Sequence, residues 1–206
     1  MHPEALDEKS RSIFSRLREF PEFYLAGGTA LALEIGHRVS IDFDLFSDRE
    51  IEKMLLAKAT RVFSETTISV SVNNPDELTF FTDGVKVTFL RYPFPLLFEP
   101  VLYEGVRVMT AKEIAVTKAY TIGRRGSYKD YIDLFFIFSE NHATLADVIE
   151  LAEKKYGNDF NGRLFLEQLV YLFDIEDTEI KFLREGPADK TAIENFFAGE
   201  IKKLEF

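Results

Sequence analysis

The period of hydrophobic and polar positions changes along the chain, and the changes mark out its elements. Ile13-Phe14, Leu17 and Phe20 recur at helical spacing and stop at Pro21, so an opening helix is expected. Phe23-Tyr24-Leu25-Ala26 is a short apolar run of the kind a buried strand shows, and Gly27-Gly28 breaks it. Thr29 is placed to cap a short helix, Ala30 to Ile35, ending at Gly36; Ile41-Asp42-Phe43-Asp44-Leu45-Phe46 then alternates as a strand. Ser47 or Asp48 caps a further helix whose apolar face is Ile51, Met54, Leu55, Ala59, Val62 and Phe63.

From Thr67 to Met109 the pattern is mostly β. Ile68 to Val72 alternates, Asp83-Gly84 is a hairpin turn before Val85 to Leu90, and Glu104-Gly105 joins Val101-Leu102-Tyr103 to Val106-Arg107-Val108. Beyond Met109 helical signals take over, with capping-box patterns at Thr110/Glu113, Ser127/Asp130 and Thr144/Asp147, and further helices at about 160–173 and 189–204. The fold class expected is α+β: a mixed β-sheet core with helices over residues 1–109, then a C-terminal helical bundle over 110–206 packed on it. A groove between the halves is the expected place for a site.

Composition narrows the function classes. The chain has 206 residues, with 25 Lys+Arg against 35 Asp+Glu and a net charge of −10, so it should repel polyphosphates except where positive charge gathers locally. The absence of cysteine removes disulfides, thiolate zinc sites and cysteine nucleophiles together. The polar start and the short Leu134 to Phe138 apolar run give no membrane segment, and a soluble cytoplasmic protein is expected. His2, His37 and His142 are too dispersed for a zinc site, and no hydrolase nucleophile motif occurs.

The densest chemical signal is Gly27-Gly28-Thr29 followed by Asp42 and Asp44. Residues two apart on a strand share a face, so the two carboxylates project together while Ile41, Phe43 and Leu45 point into apolar packing. Like charges side by side call for a cation; Mg2+ (or Mn2+) takes oxygen ligands and is commonly held by one or two carboxylates plus substrate phosphates. The plain alternative is an edge strand with two solvated aspartates. A diglycine turn opening a helix offers backbone N–H groups and a positive dipole end to phosphate, although many such turns hold glycine for geometry alone. The polar loop between them brings Arg38 and Ser40 toward substrate phosphate or ribose, or Arg38 merely neutralises Asp42 or Asp44.

Gly27-Gly28-Thr29-Ala30-Leu31-Ala32-Leu33, Gly36-His37-Arg38, Ser40 and Asp42-Phe43-Asp44-Leu45-Phe46 closely resemble the AbiEii-type toxin nucleotidyltransferases of the polymerase-β-like superfamily. The resemblance continues at Lys118 and at Lys129-Asp130-Tyr131-Ile132-Asp133-Leu134, reaching about residue 155. It implies a small nucleotidyltransferase core with added helices, an NTP donor with Mg2+, and transfer to an RNA such as tRNA. It also implies membership of a toxin–antitoxin pair of the abortive-infection kind, with an antitoxin partner. Carried over by position, Asp42 and Asp44 become the metal ligands; Gly27, Gly28, Thr29, Arg38, Ser40 and Lys118 the NTP-binding residues; and Lys118, Asp130 and Asp133 further catalytic candidates. One departure stands out: the superfamily usually adds a third carboxylate from a later strand, and the matching position is Thr88.

The second half carries its own argument. In Tyr131 to Phe138 every residue but Asp133 is apolar, so Asp133 should be buried and need a cation, with Lys118 or Lys129 in reach. Such a pair can lock two helices, or Lys118 can face the substrate with Arg124, Arg125 and Lys129 as a basic cluster; Asp130 can instead close a capping box on Ser127. The leading expectation is an Mg2+-dependent nucleotidyltransferase acting on an acceptor hydroxyl of RNA or protein. The competing one is a catalytically inactive nucleotide-binding or protein-interaction domain, with Thr88 as its mark.

Overall fold

Asp7 starts the first helix by accepting the Ser10 N–H at 2.8 Å, and α1 (Glu8–Arg16) continues into one 3-10 turn, Leu17–Glu19, before Pro21. The computed structural model describes residues Met1–Leu204, and the chain divides into two compact units, Met1–Thr110 and the residues from Ala111 onward. The first unit continues with β1 (Tyr24–Ala26), α2 (Gly27–Ile35), β2 (Phe43–Ser47), α3 (Leu55–Val62), β3 (Ile68–Asn73), β4 (Glu77–Thr82), β5 (Val85–Arg91), β6 (Val101–Tyr103) and β7 (Val106–Val108). Its strands form one mixed sheet in the order β3-β4-β5-β2-β1-β7-β6.

Two hairpins in this sheet follow from backbone sterics. Asp83 and Gly84 both have positive φ (51° and 81°), as do Glu104 and Gly105 (50° and 84°), which is the backbone of a two-residue primed turn. The β1–β2 and β4–β5 pairs are antiparallel, whereas β2 pairs with β5 in parallel, Phe43 beside Val87 and Asp44 beside Thr88. One face of the central strands carries Phe43, Leu45, Leu78, Phe80, Val87 and Phe89, all buried. Phe20 and Phe23 pack on Phe89 at 4.8 Å between ring centroids, and Phe63 on Phe80 at 5.7 Å, so the segments flanking α1 and α3 cover this face. The other face carries Asp44, Lys86, Thr88, Glu77 and Thr79 together with Phe46, Leu90 and Phe81.

The second unit consists of α4 (Ala111–Ile122), α5 (Tyr128–Ser139), α6 (Leu145–Tyr156), α7 (Gly162–Leu169) and α8 (Lys190–Lys202). The enclosed Glu113–Lys155 ion pair and the Tyr120–Tyr156 stack, with centroids 4.0 Å apart, tie α4 to α6. Among the described residues no helix is long and apolar enough to cross a membrane.

Several local expectations are corrected. Helix α2 begins at Gly27, directly after the strand, and Thr29 does not cap it; its hydroxyl reaches Ser40 at 2.7 Å and also donates to the Asp42 carbonyl. That second bond holds Asp42 just ahead of β2, and Ile41 is exposed rather than packed. Neither Ser47 nor Asp48 caps α3, which starts only at Leu55; Ser47 instead accepts the Arg49 N–H at 3.3 Å, and Met54, at the helix entry, is exposed. Thr144 caps α6 through the Asp147 N–H at 3.1 Å, but the Ser127 side chain makes no capping bond; the Asp130 N–H donates to the Ser127 carbonyl at 2.8 Å, and the Asp130 carboxylate is drawn to a lysine.

Candidate active site

The turn between β1 and α2 sets the first part of the site. Gly27 has φ +67°, a left-handed conformation that costs a side-chain-bearing residue about 1–2 kcal/mol. A Cβ there would lie 3.1 Å from Asp44 Oδ2, so the backbone angle favours glycine and any side chain would also crowd the Asp44 carboxylate. The β1–β2 register explains the proximity, since Ala26 is the direct cross-strand partner of Asp44. The diglycine turn and Asp44 are thus brought together within one unit. Thr29, almost fully buried, ties Ser40 and the Asp42 backbone to the first turn of α2, so Thr29 and Ser40 act as a latch on Asp42.

His37 and Arg38 are enclosed at 0% and 3% exposure, and one Arg38 N–H reaches the Val39 carbonyl at 3.3 Å. A guanidinium shielded in this way is a fixed part of the loop rather than a solvated arm.

Across the same sheet face from Asp44 lies Thr88, its parallel partner, and across from Thr88 lies Thr79. Thr79 Oγ1 is 3.2 Å from Thr88 Oγ1 and 2.6 Å from Glu77 Oε1. Lys86, two residues before Thr88 on β5, shares that sheet face. Sequence reasoning found Thr88 but missed Lys86, Thr79 and Glu77. Alternation within Val85–Leu90 already put Lys86 and Thr88 on one face, yet which strand they would face is a tertiary matter.

Asp42 and Asp44 are a donor set of two half-buried carboxylates, and among the described residues no three His, Cys, Asp or Glu side chains converge as a ready-made metal cage. This fits a hard ion that keeps several waters and takes its remaining ligands from substrate phosphates.

In the second unit, Lys118 Nζ lies 2.6 Å from Asp130 Oδ1 and 2.8 Å from Asp133 Oδ2. Asp133 is fully buried, as the apolar run around it requires, and its cation is Lys118; Lys129 is exposed. Burial alone would push the Lys118 ammonium down, but Asp130 and Asp133 outweigh it and hold its pKa above the usual lysine value. Beside them, burial first and Asp130 second push the Tyr131 phenol up to about 12. The expected basic cluster therefore divides: Lys118 is drawn inside, while Arg124 and Arg125 stay exposed, with Arg124 lying 3.6 Å over the Tyr120 ring and donating to the Asp159 carbonyl.

The family's sequence model, described as the nucleotidyl transferase AbiEii toxin of type IV toxin–antitoxin systems, matches residues 11–203. The chain belongs to the AbiEii nucleotidyltransferase toxin family. An uncharacterized protein of Aquifex aeolicus is 34% identical over 185 residues, covering 88% of this chain and 87% of that one. The AbiEii fold also recurs in solved structures. MenT4, a nucleotidyltransferase toxin of Mycobacterium tuberculosis, superposes with a TM-score of 0.61 at 16% identity, covering 95% of this chain and 83% of its own. JHP933 of Helicobacter pylori superposes with a TM-score of 0.57 at 18% identity, covering 97% and 94%. This AbiEii chain is accordingly a nucleotidyltransferase of the toxin–antitoxin class.

Proposed function

We propose that the enzyme moves a nucleotide from an NTP to an acceptor hydroxyl on RNA, with Asp42 and Asp44 binding Mg2+ and the Gly27-Gly28 turn seating the phosphates. The observation that carries this reading is the approach of Gly27 to Asp44: a backbone in a conformation reserved for glycine is pressed against a carboxylate at the N-terminus of α2. Mg2+ bound there would offset phosphate charge and make the α-phosphorus more electrophilic. The α2 backbone N–H groups and Lys86 would orient the triphosphate so that pyrophosphate leaves away from the acceptor, and the Thr29–Ser40 latch would keep Asp42 at its post. Positioning and electrostatics then supply most of the acceleration.

In the second unit, Lys118, Asp130 and Asp133 would act together. Two of the ammonium's three N–H donors are committed to the carboxylates. An antitoxin partner is consistent with the toxin class, and the net charge of −10 favours a protein partner or a small acceptor over a long RNA.

The test is transfer of label from α-labelled NTPs to total cellular RNA in the presence of Mg2+. Wild type is expected to label RNA, and Asp42→Asn and Asp44→Asn are expected to lose labelling while melting like wild type. Equal labelling by wild type and both variants rejects the metal role, whereas Mg2+-dependent NTP binding without transfer to any acceptor favours a binding module.

A further inference from the structure

We propose that Tyr156, Tyr120 and Arg124 form a stacking platform on which an unpaired nucleobase of the RNA acceptor lies. That the RNA is an acceptor rests on the transferase reading above; the platform is built by the second unit alone.

Tyr156 is buried at the C-terminal end of α6, and its ring stacks on that of Tyr120 in α4, with centroids 4.0 Å apart and planes 18° from parallel. The Arg124 guanidinium lies 3.6 Å from the Tyr120 centroid. Two groups this close to one ring centre cannot share a side of it, so Tyr156 and Arg124 sit on opposite faces of Tyr120. An edge-on guanidinium at 3.6 Å would drive an N–H into the ring, so the group lies nearly flat. The result is a column that runs from buried Tyr156 through half-buried Tyr120 to exposed Arg124.

Arg124 is held in place. It donates to the Tyr120 carbonyl at 3.1 Å and to the Asp159 carbonyl at 2.7 Å, which fixes the guanidinium plane. A fixed, planar, weakly hydrated cation with one face on an aromatic ring offers its other face to a further flat π system. The next layer has room, because a cavity of about 320 Å³ opens here, its lining including Tyr120, Arg124, Asp159, Phe160, Asn161 and Leu164. Asn161 Oδ1 accepts the Leu164 N–H at 3.0 Å, which leaves the Asn161 amide N–H groups to donate to a base edge.

Charge selects the class of ligand. Among the described residues the charged lining is one cation, Arg124, and one carboxylate, Asp159, a balance that suits a base on a single phosphodiester and not a triphosphate. Stacking is held by contact between flat groups rather than by net charge, which suits a chain at −10. A base inside a duplex is already stacked on its neighbours, so the occupant is an unpaired one.

The test is the binding of a fluorescein-labelled, single-stranded oligoadenylate of about twelve nucleotides, followed by anisotropy in wild type, Arg124→Lys and Arg124→Ala, with KM for RNA and for NTP taken from label transfer. Arg124 is exposed, so both variants should melt like wild type. Arg124→Lys keeps the charge and loses the plane. It is expected to weaken oligoadenylate binding at least about 10-fold, as Arg124→Ala does, and to raise KM for RNA with KM for NTP unchanged. An oligomer of the same length with abasic riboses should bind wild type and Arg124→Lys equally. If Arg124→Lys holds oligoadenylate as wild type does, the contact is one of charge and the platform is overturned. A rise in KM for NTP instead of RNA assigns the base to the donor and overturns it too, as does a wild type that binds no oligoadenylate, whether or not it transfers label. Wild type that binds oligoadenylate through Arg124 but transfers no label upholds the platform and removes the transferase reading.

Discussion

Replacing Lys118 by methionine removes a charge that lies against two carboxylates, and the structure sets the size of the effect. The Lys118 side chain is 8% exposed and that of Asp133 is fully enclosed, with N···O separations of 2.6 and 2.8 Å to Asp130 and Asp133. Breaking a buried pair from one side costs about 3–5 kcal/mol, because the remaining ion stays desolvated. In a chain of this length each kcal/mol corresponds to about 2–4 °C, so melting should fall by about 6–20 °C. Adding Asp133→Leu removes the stranded charge and should recover much of the loss, a non-additivity that a double-mutant cycle reads directly. The pH dependence gives a second check. The pKa of Lys118 is raised above 10.5 in the folded chain, so its stabilisation is fully present below that value and is lost as pH climbs through the folded value. The alkaline decline of wild type should therefore be shallower in Lys118→Met. The assay is urea unfolding followed by circular dichroism between pH 7 and 11. A loss under about 1 kcal/mol at pH 7, or simple additivity with Asp133→Leu, would refute the reasoning.

Two further outcomes follow from the same geometry. Gly27→Ala should cost about 1–2 kcal/mol from the left-handed backbone alone, and because its Cβ would meet Asp44 Oδ2 at 3.1 Å it should reduce label transfer further than that loss explains; thermal melting beside transfer assays separates the two. Thr144→Ala should cost about 1 kcal/mol by removing a made cap, whereas Ser127→Ala should change stability by less than about 0.5 kcal/mol, since that side chain caps nothing; equal losses in urea titrations would contradict the cap geometry.

What could be read from the chain alone was whatever short-range physics encodes. Positive φ at Asp83-Gly84 and Glu104-Gly105 is a demand of two-residue turns, the buried run at β1 and the alternation around Asp44 are one-strand patterns, and Asp133 had to be buried because its neighbours are apolar. The diglycine turn and the paired aspartates were legible for the same reason, and with them the family. Choices among competing partners were decided only by the tertiary structure. Thr29 was equally able to cap a helix or to hold Asp42, and Asp130 to close on Ser127 or to bind Lys118; each outcome depends on a group that the fold delivers from 12 or 13 residues away. The parallel register of β2 with β5 links positions 44 and 88, and the next register links 88 to 79. No local period specifies which strand lies alongside which, because pairing energy belongs to the assembled sheet. That long-range pairing sets Thr88 and Thr79 in line with Asp44.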